Sequence, residues 1–287
     1  MKRRAFTLIE LLVVIAIIGL LSTIAIISTS GSRDKARIAS GVSFERSIYE
    51  AMGASLAAQY DFEEGSGTMA LDSSGNGNNA TLVGAPAPTW STDTYGIGSA
   101  YSMSFTGANY IASAKAFGVG NGNFTIALWV KTTSSNGQMY FVSNDTIGGN
   151  GYRFGLTGGG IAFLIGNGVG NSEGGCGNQK ANVNDGKWHH IAGVFSRTNL
   201  SVTCYLDGRA FNSIALSSSY SGAADAAARI GTSYCCTQFV GQLDNVRVYT
   251  QDLTLSDIRS IYDETKDRFA FAEAEAAFLG RGGKDGT

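Results

Sequence analysis

The chain has 287 residues, of which 15% are charged, with 21 Lys and Arg against 23 Asp and Glu and 39 glycines. That length accommodates a terminal helix plus one large domain or two small ones. Without Lys2, Arg3 and Arg4 the balance is 18 basic to 23 acidic, a net of −5, which excludes a nucleic-acid binder of the basic-patch kind. Low charge with abundant Gly, Asn and aromatics suits an exported β-rich protein with tight turns.

Lys2-Arg3-Arg4-Ala5 precedes Phe6-Thr7-Leu8-Ile9-Glu10, and Leu11 to Ser32 is a run of 22 uncharged residues. A helix needs about 20 residues to span a bilayer, so a transmembrane part is predicted over about 8–28. The basic leader holds the extreme N-terminus in the cytoplasm. A cleavable secretory signal would place its small-residue cut site after the apolar run. Here the small residue, Ala5, comes before it, so a cut there leaves the helix on the mature protein. A plain signal anchor is the bland alternative, but it gives no reason for Glu10, because a carboxylate inside an apolar segment is costly without a partner.

This arrangement resembles the class III leader of type IV pilins and type II secretion pseudopilins. The resemblance implies that a prepilin peptidase cuts between Ala5 and Phe6 and methylates the new amine. It further implies that Glu10 pairs with the freed Phe6 amine of a neighbouring subunit. The chain would then pass once through the inner membrane and later join an extracellular filament, with other pilin subunits as partners. The family usually has Gly where this chain has Ala5.

Beyond Ile27 a weak spot at Ser28-Thr29-Ser30-Gly31-Ser32 gives way to an amphipathic segment in which Ala36, Ile38, Val42, Phe44 and Ile48 mix with charged residues. The helix 6–55 would form a rod of ~75 Å, and pilins have such a rod.

From Ala57 the period changes to two. Phe124, Ile126, Leu128 and Val130 fall on one face of a predicted strand. Trp188 to Phe195, Leu200 to Leu206 and Phe239 to Tyr249 read similarly. Turn signals separate them: Ser74-Gly75-Asn76-Gly77, Asn121-Gly122, Gly158-Gly159-Gly160, Asp185-Gly186 and Asp207-Gly208. Short strands at this spacing predict an antiparallel two-sheet sandwich. Cys176, Cys204, Cys235 and Cys236 lack the paired spacing of a zinc site. Beyond an export segment they are disulfide candidates with three pairings open, while a free buried thiol is an alternative for Cys204.

Thr254-Leu255-Ser256-Asp257 is a capping-box-like helix start. The pattern continues through Phe269, Phe271, Ala274, Ala277 and Phe278 to Gly280, before a loose tail.

Several words in this region, in order, resemble a laminin-G-like, concanavalin A-like jelly roll. They are Tyr60-Asp61-Phe62-Glu63-Glu64, Asp72-Ser73-Ser74-Gly75-Asn76-Gly77, Phe124 to Val130, Asp185-Gly186-Lys187-Trp188-His189-His190, Tyr205-Leu206-Asp207-Gly208 and Gly241 to Tyr249. The fold class expected is mainly β, with a long N-terminal pilin-like helix, a jelly-roll sandwich and a C-terminal helix. The expected domains are a leader at 1–5, the helix at 6–55, the sandwich at 56–262 and a C-terminal helix with tail at 263–287.

The same resemblance implies a structural calcium ion held by Asp72 and Asp244, with Asn76; an Asx-and-glycine turn is the other reading of that loop. Glucanases of this fold set carboxylates on alternate residues of one strand. Between Ala57 and Thr250 the only glutamates are Glu63, Glu64 and Glu173. Asp61 and Glu63 lie two apart, but before a glycine turn where a solvated role is expected. His189 and His190 point to opposite faces of a strand and cannot share a metal. Both read as structural, and catalysis is not expected. Trp90, Tyr152 and Tyr234 are candidates for stacking on sugar rings.

The function these readings favour is a minor or tip pilin subunit that presents a module for glycan or protein binding in adhesion. A membrane-anchored enzyme acting on polysaccharide and a pseudopilin-like structural subunit are the alternatives.

Overall fold

A computed structural model describes residues 8–9, 11–18, 52–96, 99–120, 122–135, 137–146, 150–166, 172–174, 176, 182–216, 227–234 and 238–266. The chain divides into two compact units, Met1–Ala51 and Met52–Thr287. In the first, residues 8–9 and 11–18 are helical, and Leu8, Leu11, Leu12 and Ile15 are each more than half exposed. A helix apolar on every side is suited to lipid or to burial among other helices. Among the described residues no helix is long and apolar enough to cross a membrane. Residues 19–51, which complete the expected span and most of its amphipathic continuation, lie outside the described residues, as do Ala5, Phe6 and Glu10.

The second unit is a sandwich of two antiparallel sheets. The first sheet runs β14 (Arg209–Ala215), β13 (Ser201–Leu206), β12 (Trp188–Ser196), β7 (Phe124–Lys131), β16 (Val240–Tyr249), β5 (Ser102–Thr106), β4 (Thr89–Ser91). The opening strand β1 (Leu56–Tyr60) also pairs with β16. The second sheet runs β11 (Ser172–Gly174), β10 (Gly160–Gly166), β9 (Tyr152–Thr157), β8 (Gln138–Ser143), β15 (Arg229–Ile230), β6 (Tyr110–Ser113), β3 (Ala80–Val83), β2 (Met69–Ala70).

The predicted alternation is present: Phe124, Ile126, Leu128 and Val130 of β7 all join the core between the sheets. Phe124 sits among Tyr152, Phe163 and Phe195, with ring centroids 5.0–5.4 Å apart. Gly193 of β12 makes room for these rings, since a Cβ there would come within 2.6 Å of Phe163 and 2.8 Å of Phe154. Cys176 and Cys204, both fully buried, are joined as a disulfide with Cα atoms 5.7 Å apart. Cys235 and Cys236 lie outside the described residues.

The Asp207-Gly208 turn joins β13 to β14 with φ of 48° and 72°, the two left-handed residues that a two-residue hairpin favours. Gly208 also lies against the ring of Tyr262, where a Cβ would come within 2.8 Å. That tyrosine belongs to a closing helix, residues 255–266, whose start is a reciprocal cap. Thr254 donates to the Asp257 carboxylate from its backbone N–H and its hydroxyl, each at 2.8 Å, and the Asp257 N–H returns to Thr254 Oγ1 at 3.3 Å. The rest of the expected helix, from residue 267, lies outside the described residues.

This helix explains why the outward residues of β7 are buried too. Trp129 donates its indole N–H to Thr265 Oγ1 at 2.9 Å and stacks on Tyr262 at 5.7 Å. Thr125 donates to Gln251 O and accepts the Leu253 N–H. The outer face of the first sheet is thus closed around β7, which a period-two reading of a half-buried strand does not anticipate.

Candidate functional site

The opening loop was expected to contribute metal ligands. In the structure Asp72 caps a turn: one oxygen accepts the N–H groups of Gln59 and Ser74, each at 3.0 Å, and the other accepts that of Asn78 at 2.8 Å. These hydrogen bonds hold its carboxyl below the usual range, against the opposing effect of burial, which is the largest single influence. Asn76 turns its amide NH2 onto Leu56 O at 2.7 Å and Ala57 O at 3.2 Å. Asn78 Nδ2 adds a bond to Ala57 O at 2.8 Å, and the Ser73 N–H donates to Gln59 O at 2.9 Å. The loop therefore covers the outer edge of β1, satisfying backbone groups that an edge strand otherwise leaves open.

Asp244 lies elsewhere, fully buried at a bulge of β16 where Asn245 adopts a φ of 46°. Its Oδ1 accepts the Asn245 N–H at 2.7 Å, and its Oδ2 lies 2.9 Å from Ser99 Oγ. Burial pushes its carboxyl well above the usual range, and the neighbouring charges that add to this are Glu63 and Asp61, not Asp72. Asp72 and Asn76 bond the backbone of the first strand and its loop, whereas Asp244 bonds Asn245 and Ser99. Among the described residues no three His, Cys, Asp or Glu groups form a metal-holding cluster. In this arrangement Asp72 acts as the cap of an Asx-type turn, the other reading of that loop.

The first loop and the last strand are nevertheless joined, through Asp61. Its carboxylate accepts Gln59 Nε2 and Asn245 Nδ2, both at 2.8 Å, and the Ser73 hydroxyl at 2.7 Å. Glu63 accepts the Ala100 N–H at 2.9 Å, and Glu64 accepts the Leu71 N–H at 2.7 Å. Glu63 is exposed, as the solvated reading expects, while half-buried Asp61 also holds loops together.

His190 is fully buried beside Trp129 and Tyr262, and burial, with the nearby Arg247 charge, pushes its imidazole down to about 3. His189 reaches Asp207 through Nδ1 at 3.0 Å and Asp185 through Nε2 at 3.2 Å. The Asp207 hydrogen bond is the main cause of its raised pKa. Both ring nitrogens of His189 are taken by carboxylates, so neither is left to activate a nucleophile.

Of the aromatics named as sugar-stacking candidates, Tyr152 is a core residue and Trp90 packs against the core. Tyr234 is 50% exposed. It stands beside Arg229, whose Cζ is 5.8 Å from its ring centroid and 5.7 Å from that of Tyr110. Arg153, over Tyr140 at 5.9 Å, is paired with Asp145 at 2.9 Å. Arg229 and Tyr110 face the outer side of the second sheet, where each is half-buried, while Tyr140 beneath Arg153 is fully buried. Sequence reasoning missed Arg229, because a two-residue strand carries no period; the signal available was a lone charge within Ala226-Ala227-Ala228-Arg229-Ile230.

Comparison with known proteins agrees with both ends of this architecture. Residues 1–26 match the prokaryotic N-terminal methylation motif, and residues 105–259 match the concanavalin A-like lectin/glucanases superfamily. No curated protein matches the chain. Among solved structures, the binding domain of Paraclostridial Mosquitocidal Protein 1 superposes with a TM-score of 0.60 at 16% identity, covering 75% of this chain and 53% of that one. Domain 4 of AbnA, a GH43 extracellular arabinanase from Geobacillus stearothermophilus, solved with arabinotriose, gives 0.59 at 20% identity, covering 72% and 98%. The botulinum neurotoxin type G receptor-binding domain gives 0.57 at 16%, covering 74% and 51%. The chain thus spans about half the length of the two toxin domains and nearly all of the arabinanase domain. At these identities the likeness shows the fold. With the superfamily match extending over more than half of its length, the chain belongs to the concanavalin A-like lectin/glucanases superfamily, here fused to a prokaryotic N-terminal methylation motif.

Proposed function

We propose that this chain is a pilin-like subunit of a type IV pilus or related filament and displays its sandwich to bind glycan or protein in adhesion. The observation that carries this is the methylation motif at residues 1–26 ahead of a lectin-like sandwich. The arabinanase domain that shares the fold was solved with a bound oligosaccharide, which supports glycan as the ligand class. A binding rather than catalytic role is favoured because Asp61, Glu63, Asp72 and Asp207 are engaged in holding backbone and side chains together. In this reading the subunit waits in the inner membrane, is processed by prepilin peptidase between Ala5 and Phe6, and packs into the filament through its helix.

A minor or tip position is favoured by bulk. The first sandwich strand begins at Leu56, directly after the segment whose sequence predicts the pilin-like helix, which leaves no length for a separate pilin sheet. A head of about 200 residues has a radius of gyration of about 16 Å, crowded if carried by every subunit of a thin filament. Immunogold labelling of sheared filaments is expected to mark tips or sparse shaft sites. Dense labelling along the shaft, with this chain as the main filament protein, would overturn the minor-subunit position.

A further inference from the structure

We propose that Arg229, beside Tyr110 and Tyr234 on the outer side of the second sheet, is a subsite for the carboxylate of an acidic sugar unit. The proposal rests on the glycan reading above and gives that glycan a chemistry.

Arg229 opens β15, in register with Ala112 of β6 and Ser143 of β8, while its neighbour Ile230 is buried in the core. Strand alternation therefore sends Arg229 outward. Tyr110 lies two residues from Ala112 on the same strand, and so on the same side. Tyr234 comes from the loop after β15, its N–H held by Asp145 Oδ1 at 3.2 Å. The same Asp145 carboxylate pairs with Arg153. That second arginine is therefore neutralised, and one acid serves both to cancel its charge and to fix the tyrosine loop.

Among the described residues Arg229 has no such partner. Its contacts among the described residues are the two tyrosine rings, and no carboxylate or carbonyl of those residues accepts from it. Ring contacts at this range satisfy no N–H of the guanidinium by a hydrogen bond to an acceptor, so its donors stay available to a ligand. Those donors form a rigid fork that matches the two oxygens of a carboxylate. Holding the fork beside two rings removes in advance the side-chain freedom that binding would otherwise cost. A sugar suits the surroundings better than an acidic peptide does. Half-exposed Tyr234 offers a flat apolar face beside the fork, and the neighbouring outward positions on β3, Thr81 and Val83, are exposed and half-exposed, so the surface is open to a chain of rings.

The test uses the full chain in detergent micelles and measures binding to immobilised polygalacturonate, its carboxyl-reduced neutral form, arabinan and polyglutamate. Polygalacturonate is expected to bind at least about tenfold more tightly than its reduced form. Arg229→Gln should lose that difference. Arg229→Lys, which keeps the charge but not the fork, should lose part of it and serves as the second variant if the first does not fold. Tyr234→Ala should weaken both forms of the polymer. Unchanged polygalacturonate binding by a folded Arg229→Gln overturns the subsite, and equal affinity for polyglutamate overturns the assignment to a sugar. Binding of arabinan with no preference for the acidic polymer also overturns the subsite while leaving glycan display intact. If no polysaccharide binds, the underlying glycan reading fails as well.

Discussion

Replacing Asp244 by Asn should stabilise the head, and by more as pH rises. Ser99 Oγ lies 2.9 Å from both Tyr101 O and Asp244 Oδ2. A hydroxyl has one proton to give. If it goes to the Tyr101 carbonyl, Asp244 must supply the other hydrogen, as a protonated acid or as the NH2 of an asparagine. Oδ1 continues to accept the Asn245 N–H in either case. Asn is thus isosteric and keeps both contacts. Burial raises the Asp244 carboxyl well above its ordinary 3.8, with Glu63 and Asp61 adding to the effect. The folded state then binds the proton more tightly than the unfolded state. The resulting stabilisation is fully present below 3.8 and lost as pH rises through the raised folded value. Within that interval each pH unit removes about 1.4 kcal/mol from the natural chain and nothing from the variant. For a head of about 200 residues, one such unit widens the gap in melting temperature by about 3–6 °C. Thermal melts of both chains in the same micelles, from about pH 4.5 to about pH 7.5, measure the gap directly, because titrations common to both cancel. A variant less stable than the natural chain at the upper pH, with calcium raising the melting temperature of the natural chain alone, would refute the reasoning: Asp244 would then be ionised and holding a cation.

Mass spectrometry of the native protein is expected to find a methylated Phe6 at the amino terminus; an intact Met1, or a cut after Ile27, would remove the pilin assignment. His189, raised chiefly by its bond to Asp207 and also by Asp185, stabilises the fold fully below its ordinary 6.5, and this is lost as pH rises through its raised folded value. His189→Gln should therefore cost up to ~1 kcal/mol at acid pH and progressively less toward alkaline pH. A difference in melting temperature that stays constant across that range would show that His189 contributes packing and not charge.

The strands of the first sheet were legible because their inner positions alternate, and the capping box and the Asp207-Gly208 hairpin because each is a local arrangement with a local cause. What could not be read depends on partners remote in the chain. Asp61 looks like a solvated carboxylate before a glycine turn, yet one of its partners, Asn245, is 184 residues away. Asp72 carries the residue pattern of a calcium loop and of an Asx turn alike, and only the N–H groups aimed at its oxygens separate the two. Trp129 reads as one more residue of a half-buried strand until Thr265 and Tyr262 arrive from the closing helix. Of four cysteines, the pairing of Cys176 with Cys204 brings residues 28 apart in the chain together, which spacing alone does not encode.

The covering of β1 has a mechanical consequence. Tension passed along the chain into the head enters at residue 52 and reaches Leu56 first. There the chain is gripped from both sides. Ser55 O accepts the Thr250 N–H at 2.8 Å on the β16 side, while Leu56 O and Ala57 O accept the Asn76 and Asn78 amides on the other. Force is therefore divided at the threshold between the last strand and the first loop. Asp61, at the far end of β1, ties that loop to Asn245 and closes the grip into a ring of contacts. A pull on the chain entering the head is thus met by a shared clamp rather than a single seam of hydrogen bonds.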